Sequence, residues 1–163
     1  MKLIILFLSC LLSLNVFAGE AFEIWYKKAL AAERKGETLE AMRLFKKSYE
    51  LGFIGASGNI ALIYYHGRGA IPQDHQLAVK WFHKSGGYLM LGNMYSRGQG
   101  VLQSDEQAYI WSALNAKYNK EFNNKEYMAK KLTFSQIKEA DIEVEKLYKE
   151  IQDKRKNQPV SHK

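Results

Sequence analysis

The chain has almost no cysteine. Cys10 is the single one in 163 residues, and it lies in the N-terminal apolar stretch, so nothing downstream can form a disulfide or offer a thiol to a metal or a substrate. There is also no apolar run of the roughly 20 residues that a membrane-spanning helix needs. The sequence has no Gly-x-x-x-x-Gly-Lys-Ser/Thr phosphate loop, no His-Glu-x-x-His pair and no Gly-x-Ser-x-Gly elbow, which removes the familiar routes to nucleotide binding, zinc hydrolysis and serine acyl transfer. The four histidines, His66, His75, His83 and His162, are scattered. His75 and His83 stand two helical turns apart, too far to share one ion. Neither a cofactor nor a metal site is expected.

The chain does carry an N-terminal export pattern. Lys2 precedes the apolar residues Leu3 to Leu8, which continue with interruptions to Leu14, and Val16-Phe-Ala18 has the small-x-small form of a cleavage site. This predicts a signal peptide over 1–18 and a processed chain that begins at Gly19. An uncleaved anchor and lipidation at Leu8-Ser-Cys10 are the weaker alternatives. Periplasmic or secreted localisation follows, with no integral membrane segment after cleavage. The formal charge of +7 permits attraction to acidic surfaces, but export makes nucleic acid an unsuitable client.

Helical periodicity governs the remainder. Phe22, Trp25, Tyr26, Ala29 and Ala32 recur at three- and four-residue steps, as do Ala41, Leu44, Phe45, Ser48 and Leu51, so two amphipathic helices meet at Gly36. Thr38 is the expected cap of the second. A third helix is expected from 54 or 55 to 66, with the small residues Gly55, Ala56 and Gly58 admitting the preceding helix. Asp74 should cap a fourth, carrying Ala78, Trp81, Phe82 and Ser85 inward. The fifth carries Leu91, Met94 and Tyr95. Ser104 and Gln107 form a capping box for a sixth with Ala108, Trp111, Ser112 and Asn115, and Thr133 and Gln136 form another for the last, with Ile137, Ala140, Val144, Leu147 and Ile151 inward. Residues 115–124 read as a linker with some helix at its edge, and 153–163 as a flexible basic tail.

Two stretches repeat. Tyr64 matches Tyr95, Gly67 matches Gly98 and Gly69 matches Gly100, each 31 positions apart, and the two copies are followed by Ala78-Val-Lys-Trp81 and Ala108-Tyr-Ile-Trp111. A recurring block of this length marks a repeat array. Tryptophan and tyrosine at matched places read as packing residues with their polar atoms near a turn.

The order Leu91-Gly-Asn-Met-Tyr95, Gly98-Gln-Gly-Val101, Ala108-Tyr-Ile-Trp111 resembles the Sel-one-like repeat family, relatives of the tetratricopeptide repeats. The earlier copy matches through Tyr64, Gly67, Gly69, Ala78, Trp81, Phe82 and Lys84, and half of a further unit shows in Ala41-Met-Arg-Leu-Phe45 with Gly52. The resemblance implies an all-α, right-handed superhelical solenoid of antiparallel helix pairs over 19–152, with clear units near 55–86 and 88–116. Met128 to Ala140 is similar to the closing segment of bacterial members, so 125–152 should seal the stack. Two departures stand out: Ala70 lengthens the first corner by one residue, and Gly86-Gly87 runs straight into Tyr88, so the fifth helix should start late or be shortened.

The function implied is that of an exported scaffold for a protein or peptide partner in the cell envelope. Contact with peptidoglycan or another envelope polysaccharide, or action on a host cell after secretion, are the alternatives. Arg68, Lys80 and Arg97 are the candidate partner contacts, although arginines in glycine turns also serve simply to solubilise them. Ser135-Gln-Ile-Lys138 matches Ser-x-x-Lys without its supporting motifs, and no enzyme is expected.

Overall fold

The structure, a computed structural model, describes residues 21–157. The expected signal peptide, Cys10 and the last six residues lie outside them. Helices make up most of the described chain: α1 (21–34), α2 (Thr38–Glu50), α3 (Ala56–His66), α4 (His75–Ser85), α5 (Tyr88–Arg97), α6 (Asp105–Tyr118), α7 (Lys125–Ala129) and α8 (Phe134–Asn157). Among the described residues the one β-type pairing is an isolated bridge between Arg68 and Ile71. The architecture is all-α, a solenoid of antiparallel helix pairs α1/α2, α3/α4 and α5/α6, closed by α7 and α8, which both pack against α6.

Each apolar cluster is shared by consecutive helices, as expected when a unit cannot bury its apolar face alone. Ala29, Phe45, Ile60 and Ile63 form the first, Ala61, Ala78, Phe82, Leu91 and Met94 the second, and Tyr109, Met128, Ala140 and Val144 the third. The buried Ser48 is accommodated because its hydroxyl donates to the Phe22 carbonyl at 2.8 Å.

The helix starts follow capping chemistry. Asp74 accepts the Leu77 amide at 2.8 Å, and Ser104 accepts that of Gln107 at 3.1 Å. At α8 both halves of the box close: the Gln136 amide donates to Thr133 Oγ1, and the Thr133 amide donates to Gln136 Oε1 at 2.9 Å. Asp74→Ala should cost about 1 kcal/mol, read as a lowered midpoint in urea unfolding. An unchanged midpoint would show that solvent replaces this cap without loss.

Several expectations need correction. Thr38 is the first residue of α2 instead of its cap; Glu37 holds that place with no side-chain bond, and the Thr38 hydroxyl points back to the Gly36 carbonyl. Of the three small residues, Ala56 is fully buried in the cluster shared with α2, whereas Gly58 faces α4, where an added Cβ would meet Ser85 Cβ at an ordinary 3.8 Å, and Gly55 is crowded by the Phe53 ring. The close helix approach is at Gly92: a Cβ there would lie 2.5 Å from Ser112 Oγ and 3.2 Å from the Ala108 carbonyl of α6. As expected, α5 begins at Tyr88 and is shortened, though by only one residue relative to α3.

Asn115 belongs to α6, which runs to Tyr118, and its buried side-chain amide donates to the Phe122 carbonyl at 2.6 Å, pinning the following loop. α8 continues to Asn157, so the boundary expected after 152 falls inside a helix.

Candidate partner-binding surface

The glycine corners explain how the units register. In both copies the tyrosine carbonyl receives the amide of the next helix cap: Asp74 N donates to Tyr64 O at 2.8 Å and Ser104 N to Tyr95 O at 3.0 Å. The loop from Tyr64 to Asp74 is one residue longer than that from Tyr95 to Ser104, where Ala70 was expected to lengthen it. A second pair repeats as well, Gln73 Nε2 to Tyr65 O at 2.9 Å and Gln103 Nε2 to Ser96 O at 3.1 Å. These glutamines were missed in the sequence, although Gln73-Asp74 and Gln103-Ser104 recur 30 residues apart and carried the signal.

Gly67, Gly69, Gly98 and Gly100 all have positive φ. The second glycine of each corner also makes the inter-unit contact. Gly69 sits against the first residue of α2, with Thr38 Oγ1 3.0 Å from where a Cβ would be, and Gly100 sits against the first turn of α4, on the backbone of His75 and Gln76. These glycines are turn and packing elements.

The three candidate contacts divide between two surfaces. Arg68 and Arg97 lie at the end of the stack where the corners are. Arg68 is ion-paired with Glu33 of α1, so much of its charge is already engaged within the fold. Arg97 is exposed as the last residue of α5. The two are not equivalent, because the position matching Arg97 in the earlier copy is His66. Lys80 is elsewhere, exposed on α4 one turn before Lys84.

The surface around Lys80 has a composition of its own. Tyr49 of α2 meets Trp81 of α4 edge to face at 5.2 Å, and the Lys84 ammonium lies 4.3 Å from the Trp81 ring centre and 5.4 Å from that of Tyr49. On the other side of α4, His83 abuts Trp111 at 4.8 Å. Trp111 stacks on Tyr88, Tyr88 on Tyr118, and Tyr118 meets Tyr148 of α8 at 5.5 Å. Arg155 covers Tyr118 at 4.8 Å, and Lys117 lies 5.4 Å from the Tyr148 ring and pairs with Glu145. A belt of rings and cations therefore runs over α2, α4, α6 and α8 in two stretches, Tyr49–Trp81 and His83–Trp111–Tyr88–Tyr118–Tyr148, with Tyr88 supplied by the start of α5. Trp81 and Trp111 hold adjacent units together within it. Tyr64 and Tyr95 lie inside the stack, against the first two clusters and the third respectively.

The titration behaviour is mild. Partial burial against Trp111 lowers the pKa of His83 below the usual imidazole value, and burial raises that of Tyr88. His66 and His75 both contact the Tyr65 ring, yet no group of three metal-ligating side chains occurs among the described residues. The Ser135 hydroxyl bonds Glu139 at 3.2 Å instead of Lys138, in full exposure.

Two polar atoms of α6 are buried without partners, Trp111 Nε1 and Ser112 Oγ. Ser112→Ala removes an orphaned hydroxyl that presses on Gly92. It should leave stability unchanged or raise it by up to about 1 kcal/mol, measured by urea unfolding; a clear loss would show that this hydroxyl has a partner in solution.

Comparison with known proteins agrees with this geometry. The Sel1 repeat model matches residues 37–53, 56–86 and 85–114, the half unit and the two full units described above. These three stretches are Sel1 repeats. Among solved structures it is similar to a protective antigen of uropathogenic Escherichia coli that displays an SLR fold, with a TM-score of 0.70 and 22% identity over 87% of this chain. The chain spans about a third of that protein, 34% of its length. No curated protein matches the sequence.

Proposed function

We propose that this chain is an exported, non-catalytic scaffold that binds a peptide or a helical segment of another protein in the cell envelope. The belt across α2, α4, α6 and α8 carries this reading: two stretches of paired rings and cations, drawn from successive units, meet on the two sides of α4. Tryptophan, tyrosine and arginine, all present in the belt, are the types that concentrate binding energy at protein interfaces. The three repeats, of a family whose units serve as interaction scaffolds, support the same conclusion. The N-terminal pattern of Lys2, the apolar residues and Ala18 supports export, and no helix among the described residues is long and apolar enough to cross a membrane.

The test places a photo-crosslinking amino acid at Lys80 in the native cell, with fractionation of the processed protein. A discrete protein adduct in the periplasmic or secreted fraction is expected. Adducts confined to cell-wall glycan would replace this reading with the polysaccharide one, adducts only in exposed host cells would move the partner to the host, and cytoplasmic retention of an unprocessed chain would overturn export.

A further inference from the structure

We infer, on the reading that the belt is a protein-binding surface, that it takes an extended, acidic segment of the partner. The inference rests on how the rings are used. A sugar ring or an apolar side chain needs an open aromatic face. In the belt these faces are occupied: Lys84 lies over Trp81 and Tyr49, Arg155 over Tyr118 and Lys117 beside Tyr148, while Tyr88 stacks between Trp111 and Tyr118. The surface therefore presents cations held in place by the rings beneath them. A cation steered by an aromatic face loses less side-chain freedom when it meets a carboxylate than a free lysine would.

The supply of partners within the chain is also uneven. Glu145 engages Lys117, and Glu50 adjoins Tyr49, but Lys80, Lys84 and Arg155 have no ion pair among the described residues. The unneutralised charge thus stands at two places, Lys80 with Lys84 on α4 and Arg155 at the α6/α8 edge. The rings between these places, His83, Trp111, Tyr88 and Tyr118, stand 4.8, 6.0 and 5.6 Å apart in succession, which sets a separation on the order of 20 Å. An extended strand advances about 3.3 Å per residue and would bridge them in roughly six residues. The favoured ligand carries two acidic groups of residues at about that spacing.

The experiment measures fluorescence anisotropy of a labelled twelve-residue peptide, with two glutamate pairs six residues apart, against the full chain carrying its own N-terminal segment. Lys84→Glu with Arg155→Glu should weaken binding about tenfold or more, while the charge-matched Lys27→Glu with Lys146→Glu should change it less than about twofold. Circular dichroism confirms that both variants fold. Equal losses in the two variants would reduce the effect to bulk charge and overturn the inference, as would displacement of the peptide by polygalacturonate at a lower carboxylate concentration than by unlabelled peptide. Absence of binding by the unmodified chain would overturn it as well. A protein adduct at position 80 in the cell, together with any of these negative results, would leave the scaffold reading standing and remove only the acidic segment.

Discussion

Gly100→Ala should lower the stability of the fold by roughly 3–5 kcal/mol, the range reached when a substitution collides with backbone. Two costs combine. The residue has φ +75°, a left-handed conformation that costs an alanine about 1–2 kcal/mol, and the new methyl would fall on the His75 carbonyl group and 2.7 Å from the Gln76 amide. Those atoms belong to the first turn of α4 and cannot swing aside as a side-chain tip can. Gly36→Ala is the control, because Gly36 has φ +78° with nothing within 4 Å of the added atom. It should show the conformational cost of about 1–2 kcal/mol alone. Equal losses in urea unfolding would mean that the corner yields and that the contact between units does not depend on the missing side chain.

Phe45→Ala has an effect of similar size for the opposite reason. Phe45 is fully buried in the first cluster, with its ring 5.7 Å from that of Tyr26 and with Ile60 and Ile63 of the next pair in the same cluster. Truncation removes the transfer energy of the ring and leaves a cavity between three helices, which together cost about 3–5 kcal/mol. The thermal midpoint should fall by roughly 10 °C. Because the cluster joins α1, α2 and α3, amide exchange should rise there before it rises near Ala140 and Val144. A uniform rise across the chain would show that the units unfold as one cooperative block.

The parts of this fold that could be read from the sequence are those whose chemistry is local. Asp74, Ser104 and the Thr133/Gln136 box act within one turn of chain, so their residue types disclose their role. The glycine corners were legible because they occur twice. What could not be read depends on neighbours in space. Half of the 14 residues of α6 are buried, including Tyr109, Ile110, Ala113 and Leu114, because α5 and the closing α8 cover it from two sides. A helix enclosed in this way has no single apolar stripe, and the expected inner face of Ala108, Trp111, Ser112 and Asn115 captured one side only. Tyr109 is satisfied by Asp141 of α8 at 2.8 Å, a partner 32 positions away that periodicity cannot indicate.

The candidate surface was legible to a smaller extent. Lys80 was singled out, and it lies on the belt, but Lys84 and Arg155 acquire their significance only from the rings they cover. Arg68 looked free in sequence, yet Glu33 reaches it across two helix pairs. The family pattern marks Trp81 and Trp111 for their packing. The family pattern does not include the tyrosines that extend them; Tyr88 and Tyr118 do recur seven residues after Trp81 and Trp111, but Tyr49 and Tyr148 join them only through contacts in space.

The corner contacts have a direction. Gly69 rests on the start of α2, and Gly100 rests on the start of α4, so each corner settles on a helix earlier in the chain. During synthesis every new corner therefore emerges to find its seat already made. A chain halted after α4 would hold all the corner contacts its length allows, whereas one deprived of α1 and α2 would leave Gly69 facing solvent. Assembly from the N-terminus onward is built into the geometry of the turns.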